Sequence, residues 1–512
     1  MSERDRQEQG VEVDTGATAA AAPERDMKSS AMKALFWRFF EQGGAAIVTL
    51  IVQVVMTRHL DPASIGALAL IQVFVNIGNV IVQSGLNTAI IQNPDLSDDD
   101  CSTVFWMSLS ASLVIFVTVF LFAPHYAAFY QAPSIIWPLR VLMLVLIVNA
   151  YNSVQEALVT RNLEFNKTAR STVVAGVVSC VIGVTMAIKG FGLWSLVAQL
   201  LSQQLVKCIV LAAQVPWKPR AVFDPRRARV LFGFGWKLLV SGILDQGYLS
   251  LTDMIVGKVF TQSDLGYMTN GKKYPQYLGV MLDSIIQPVM LSATARMQSD
   301  IDQVKRIVRR ALKTSTFVIV PAMAMFAVAA DPIVRIVFGE QWLPSVPFLQ
   351  LYCIIFAMLP IDTMNLQALN GLGRSDLFLK LEIVKKAIGI TTICITALVL
   401  RDLHAIVIGQ VISNTVCTFV NAYPNKRLIH YGYLEQVRDV LPAFALAAVA
   451  AVVAWPIGNL GWAPFPTAVA QVGVMAVVFV LLAMLFRVEA FSYLINTLVE
   501  LIMKKKAGGE ES

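Results

Sequence analysis

Thr57-Arg58-His59-Leu60-Asp61-Pro62-Ala63-Ser64-Ile65-Gly66 and Lys258-Val259-Phe260-Thr261-Gln262-Ser263-Asp264-Leu265-Gly266 are two versions of one connector, about 200 residues apart. Each follows a long apolar stretch and leads into another. A helix needs about 20 apolar residues to cross the hydrocarbon core of a bilayer. Working outward from the first connector gives spans near 37–57 and 65–91, and from the second, spans near 231–257 and 274–295. The same reading of the rest of the chain places spans near 103–123, 138–160, 171–188, 191–213, 311–330, 346–370, 378–400, 403–423, 439–457 and 466–486. The expectation is an all-α polytopic membrane protein with about fourteen transmembrane helices.

Composition agrees. The 512 residues are 56% hydrophobic and 15% charged, against about 25% charged in soluble proteins. Residues 1–30 are polar and read as disordered, and the run Ala17 to Ala22 is too short for the core of a signal peptide. The six cysteines are scattered without a C-x-x-C pair, which suggests neither a disulfide framework nor a zinc site.

With a cytoplasmic N-terminus, Lys and Arg gather on the inner side, as the positive-inside rule requires. Eight of the 41 fall outside: Arg58, Arg140, Lys189, Lys258, Lys272, Lys273, Arg335 and Arg401. This alternation puts both termini in the cytoplasm. The net charge of +7 is therefore a topology signal. Nucleic-acid binding is not indicated, because no face interleaves basic and aromatic residues.

The connector repeat extends in both directions. Phe36-Trp37-Arg38 corresponds to Gly235-Trp236-Lys237, Gln83-Ser84 to Asp283-Ser284, and Leu193 and Gln199 to Leu403 and Gln410. A six-span unit starts both copies on the same side, so the halves relate by a pseudo-twofold along the membrane normal. The expected organisation is a tail (1–30), a first lobe (31–213, spans 1–6), a basic inter-lobe loop (214–230) and a second lobe (231–425, spans 7–12). Two extra spans (439–487) follow, then a cytoplasmic tail (488–512) whose Leu494, Leu498, Leu501 and Ile502 have amphipathic spacing. Parallel lobes with a site between them are a transporter architecture, and the short loops leave no room for a catalytic domain.

Ionisable groups at lipid depth are costly and usually face a cavity or a partner. The first lobe has Arg38, Glu41 and Glu156; the second has Lys237, Asp245, Asp253, Asp283, Asp362, Glu382 and Lys385. Gln53 and Gln83 align with Asp253 and Asp283, which suggests a shared polar cleft; helix-to-helix polar contacts are the alternative. Lys272 and Lys273 are expected at the outer mouth. With Arg38 and Lys237 they line a positive path for an anionic substrate, although Arg38 and Lys237 also fit plain positive-inside anchoring. Arg38, Lys237, Lys272, Lys273, Gln53 and Gln83 are thus the substrate-binding candidates, and Asp245, Asp253 and Asp283 the candidates for H+ or Na+ coupling. No P-loop, dinucleotide, H-E-x-x-H or G-x-S-x-G motif occurs, so no cofactor, metal or catalytic residue is expected.

The stretch from Thr57 to Leu68, then Gly85-Leu86-Asn87-Thr88-Ala89-Ile90-Ile91-Gln92, resembles the opening of bacterial polysaccharide flippases. Phe338-Gly339-Glu340-Gln341-Trp342-Leu343-Pro344 and Leu369-Asn370-Gly371-Leu372-Gly373-Arg374-Ser375-Asp376 are similar too. These belong to the polysaccharide transporter branch of the multidrug/oligosaccharidyl-lipid/polysaccharide exporter superfamily, with the colanic-acid-exporter and lipopolysaccharide-biosynthesis members nearest in pattern. The resemblance implies two six-helix lobes around a cationic cavity in the bacterial inner membrane. It implies a substrate of undecaprenyl-diphosphate-linked oligosaccharide moved by alternating access. A polysaccharide polymerase and a chain-length regulator are the implied protein partners. An ion-coupled multidrug antiporter of the same superfamily is the alternative.

Overall fold

The computed structural model describes residues 52–83, 87, 90–91 and 97–496. Among these, every regular element is helical. After the described end of α1 (52–59) come α2 (Pro62–Gln83), α3 (Asp98–Phe129), α4 (Ile136–Leu142), α5 (Leu144–Arg161), α6 (Phe165–Ile188), α7 (Leu193–Gln214) and α8 (Pro225–Val259). The chain continues through α9 (Gln262–Arg296), α10 (Ile301–Val328), α11 (Ala330–Val337), α12 (Val346–Ala357), α13 (Leu359–Gly371), α14 (Ser375–Cys394), α15 (Leu403–Ala422), α16 (Asn425–Leu428), α17 (Tyr433–Ala454) and α18 (Pro464–Leu485).

Eleven of the described helices are long and apolar enough to cross a membrane, or twelve with the bent α9. Expected span 37–57 lies outside the described residues except for its last turn and a half. The 35-residue α8 is not among the eleven, because Asp245, Gln246 and Asp253 interrupt its apolar run. Large apolar side chains such as Leu121, Val181, Ile209, Val399 and Leu485 are more than half exposed. Surfaces like this persist only where lipid replaces water.

Helix starts are written locally. Ser97 and Asp100 form a reciprocal capping box on α3, and Thr261 and Asp264 form another on α9. At the matching place before α2, the Asp61 carboxylate accepts from Ser64 Oγ (2.6 Å) and Ser64 N (3.3 Å). Such caps satisfy amide groups that a helix's first turn leaves without partners. Breaks are local too. α9 bends by 40° between Met281 and Ile286, just before Pro288, whose ring pushes away the carbonyl four residues earlier. The three-residue turns after α5 and α13 match across the repeat, each with one positive φ: 56° at Leu163 and 70° at Gly373.

The two copies of the connector meet. Helices α2 and α9 share one of the largest interfaces in the molecule. A Cβ on Gly66 would stand 1.8 Å from the Gln262 carbonyl oxygen, and one on Gly266 would stand 1.9 Å from that of Pro62. Each glycine therefore lies against the residue that pairs with the other, the reciprocal pattern of a twofold contact. Helices α17 and α18 stack on α10 and on each other. A buried amide network ties α17 to α13 and α16: Asn365 Nδ2 donates to Gln436 Oε1 (2.8 Å) and Asn425 Nδ2 to Asn365 Oδ1 (2.7 Å). After α18 a short helix over 489–496 begins the expected amphipathic segment; the remainder lies outside the described residues.

Candidate functional site

The residues singled out in the sequence fall into two clusters at different depths. The first closes the end of the bundle that carries Gly66. Lys273 Nζ of α9 donates to Gln53 Oε1 of α1, one turn from Thr57, whose hydroxyl meets Tyr274 Oη at 3.3 Å. Trp342 is fully buried and its indole N–H donates to the Thr57 carbonyl at 2.8 Å. Arg58 donates to the Ile336 carbonyl (3.0 Å), Gln341 to the Leu60 carbonyl (3.2 Å), and Tyr130 Oη to the Met254 carbonyl (3.2 Å). Lys258 donates to the Phe129 carbonyl at 2.5 Å and sits 4.0 Å from the Phe129 ring centre. Every one of these bonds joins the first half of the chain to the second.

Lys272 and Lys273 are not in a loop at the mouth. The cap formed by Thr261 and Asp264 starts α9 at Gln262, which carries both lysines ten residues inside the helix, ~15 Å along its axis. Asp253 lies on α8 within the field of Lys272. An ammonium at this depth in a membrane helix is held where polar groups replace its hydration; the Gln53 amide does so for Lys273.

The second cluster is a polar cavity of about 410 Å³ between α9, α13, α14 and α15. Asp283 and Asp362 face it from α9 and α13, and Glu382, Lys385 and Lys386 from α14. Asn421 Nδ2 donates to Asp362 Oδ1 (2.8 Å), and Lys385 Nζ pairs with Glu382 (2.5 Å). Asp283 is 8% exposed, and its Oδ1 has no hydrogen-bond partner. Asp245, expected in the middle of a buried span, is exposed on α8 and forms an ion pair with Lys386 at 2.6 Å. The three candidate coupling acids therefore do not form one site: Asp253 lies toward the closed end, Asp283 in the cavity, and Asp245 beside it. Gln83 is the last residue of α2 and lines neither cluster among the described residues. Arg38 lies outside the described residues, and of Lys237 only its place in α8 is described.

Neither Lys386 nor Asn421 is among the candidates read from the sequence. The signal available was the pair Lys385-Lys386 inside an apolar helix, opposite the acid of Asp362. Replacing Lys386 by methionine is expected to lower stability by less than about 1 kcal/mol, because its partner Asp245 is more than half exposed. Thermal denaturation of the purified variant checks this, so that any transport defect reports on the cavity.

A strap crosses the opposite end. Arg220 bridges to Asp98 (2.9 Å) and Asp99 (3.4 Å), Arg227 to Asp100 (2.5 Å), and Trp106 Nε1 donates to the Arg220 carbonyl (2.8 Å). The segment between α7 and α8 is thereby tied to the first turns of α3.

Lipid-facing helices, a closed seam between two halves and a charged cavity in one of them define a polytopic membrane protein of transporter architecture. The chain belongs to the polysaccharide biosynthesis protein family, whose profile matches residues 55–347. It is 24% identical to the succinoglycan biosynthesis transport protein ExoT of Rhizobium meliloti over 66% of this chain and 68% of that one. It is 23% identical to the lipopolysaccharide biosynthesis protein WzxC of Escherichia coli over 80% of this chain and 84% of that one. In fold it is similar to the lipid II flippase MurJ in an inward closed conformation, with a TM-score of 0.72, 12% identity, and coverage of 89% of this chain and 98% of MurJ. An inward-facing multidrug resistance MATE family transporter of the MOP superfamily follows at a TM-score of 0.58 and 16% identity, covering 78% of this chain and 95% of that one.

Proposed function

We propose that this protein flips an undecaprenyl-diphosphate-linked oligosaccharide from the cytoplasmic to the periplasmic leaflet of the bacterial inner membrane, with both termini in the cytoplasm, for assembly of a surface polysaccharide. The observation that carries this reading is the seam. Apart from the strap at the cytoplasmic end, the described hydrogen bonds between halves collect around Gly66 and Gly266. A bundle sealed at one end by bonds between two halves is the inward-facing state of an alternating-access device. The periplasmic assignment of that end follows from the charge alternation of the loops.

In this reading Lys273, released from Gln53 as the seam parts, becomes available to a passing diphosphate. Arg38, Lys237 and Lys272 are further contacts on that path, with Gln53 and Gln83 as hydrogen-bonding groups. Coupling to H+ or Na+ is assigned to Asp253 and Asp283, whose carboxylates change their environment when the halves move. Asp245 acts only through Lys386. The protein performs no chemistry on the glycan, and a polymerase and a chain-length regulator take the product.

Reconstitution in proteoliposomes with a fluorescent undecaprenyl-diphosphate oligosaccharide tests the proposal. The labelled sugar is expected to become accessible to a membrane-impermeant quencher on the far side, several-fold faster than in empty vesicles. Equal rates in both, together with export of a cationic dye by the same vesicles, would replace this reading with that of a drug antiporter.

A further inference from the structure

We infer that the pocket between α11, α12, α17 and α18 is a saccharide-binding subsite, at which an oligosaccharide is held as it leaves between the two halves; the direction of passage rests on the transport reading above. The pocket has a volume of about 540 Å³, within the range of small-ligand sites. Asp331 and Arg335 line it from α11, and Trp462 and Gln471 from the α18 side.

Gln471 is the telling residue. It lies seven residues into α18, is only 3% exposed, and its Oε1 has no hydrogen-bond partner. A buried polar atom left unpaired destabilises by about 1–3 kcal/mol, so this amide suits a hydroxyl that a ligand brings. Gly458 leaves the amide uncrowded: a Cβ there would meet Gln471 Nε2 at 3.0 Å.

The other walls match sugar chemistry as well. Arg335 grips Asp331 by two bonds (2.7 and 3.4 Å) and reaches Glu340 at 3.6 Å, so donors and acceptors stand in fixed positions for paired hydroxyls. Trp455 and Trp462, both on the pocket wall, leave 53% and 52% of their surface open, aromatic surface on which the C–H side of a pyranose can rest. Two tryptophans alone would be an interfacial aromatic belt; a belt has no use for a buried unpaired amide. A phosphate headgroup calls for an uncommitted cation, and Arg335 is already neutralised by Asp331. The site also touches the seam, since the helix with Asp331 and Arg335 supplies the Ile336 carbonyl that Arg58 binds.

The test uses the full chain in nanodiscs and, as probe, the lipid-free oligosaccharide released by mild acid from the host's own surface polysaccharide. Calorimetry should show saturable binding that weakens at least tenfold in Gln471→Leu and in Trp462→Ala, with both variants retaining a cooperative melting transition. The inference is overturned by equal affinity in wild type and both variants, or by displacement of the sugar with glycerol 3-phosphate. Flipping by wild type without Gln471-dependent sugar binding sinks the subsite and leaves the transport reading standing. Gln471-dependent binding in a chain that flips nothing supports the subsite and removes the transport reading alone.

Discussion

Replacing Gly66 by valine is expected to reduce translocation to below about 5% of the wild-type rate. The backbones of α2 and α9 touch at this point. A Cβ on Gly66 would lie 1.8 Å from the Gln262 oxygen and 2.8 Å from its carbon, both backbone atoms with no rotamer to change. Relief requires the helices to part by more than an ångström. That motion pulls Trp342 from Thr57, Arg58 from Ile336 and Gln341 from Leu60. Each such bond contributes about 0.5–1.5 kcal/mol net, so losing three shifts the closed state by at least tenfold. Gly266→Val should behave alike, because its Cβ meets Pro62 in the same way. Gly247→Ala is the control: nothing lies within 4 Å of its added Cβ, and alanine gains up to about 1 kcal/mol over glycine within a helix. Cross-linking of cysteines introduced at Arg58 and Ile336 reports closure directly. Normal cross-linking and transport in Gly66→Val would show that the seam tolerates a side chain and that the contact is incidental.

The glycine pair also shows how far the sequence could be read. Its repeat placed Gly66 opposite Gly266 by alignment, and apolar length located the described spans, although the helices of spans 8 and 9 begin twelve and ten residues before the expected starts. Neither could say that the two glycines touch across the halves, because a contact between helices 200 residues apart leaves no local trace. Lys272 and Lys273 were misplaced for a different reason. Their charges ended the apolar window that begins span 8, so the helix start was set near residue 274. The start is written twelve residues earlier, in the capping box of Thr261 and Asp264. Once the cap is recognised, both lysines move inside the helix and toward Gln53. Asp245 failed because depth in a span does not determine direction; its partner Lys386 sits on a helix 141 residues away. The pocket around Gln471 had no sequence signal at all, since a single glutamine in an apolar helix has the same spacing whether it is paired or not.

Replacing Asp439 by alanine is expected to cost about 3 kcal/mol and to loosen the last two spans from the second half. Asp439 begins the membrane passage of α17, and its side chain is only 5% exposed. It accepts hydrogen bonds from Arg309 Nη2 (2.8 Å) and Tyr431 Oη (2.8 Å), and it is ion-paired with Arg309, whose Nε lies 2.7 Å away, and with Lys313 at 3.4 Å. Removing the acid leaves two cations facing each other across a gap, together with a buried hydroxyl. Deleting one member of a buried pair typically costs 3–5 kcal/mol. The lower figure applies because the Arg309 side chain is 39% exposed and can turn to water. Part of the charge is recovered by neighbours: Glu435 already lies 3.3 Å from Arg309, and Glu489 lies 2.7 Å from Lys313. Lys313 holds the Glu489 carboxyl below its ordinary range, so that pair contributes above the unfolded carboxylate pKa and is lost as acidification passes the lowered folded one. Asp439→Asn keeps the shape and two of the contacts, and it should fall between wild type and alanine. Denaturation of the purified variants followed by intrinsic fluorescence gives the order. If alanine and asparagine melt with the wild type, the ionic cluster does not anchor α17, and the buried amides of Asn365, Asn425 and Gln436 alone carry that attachment.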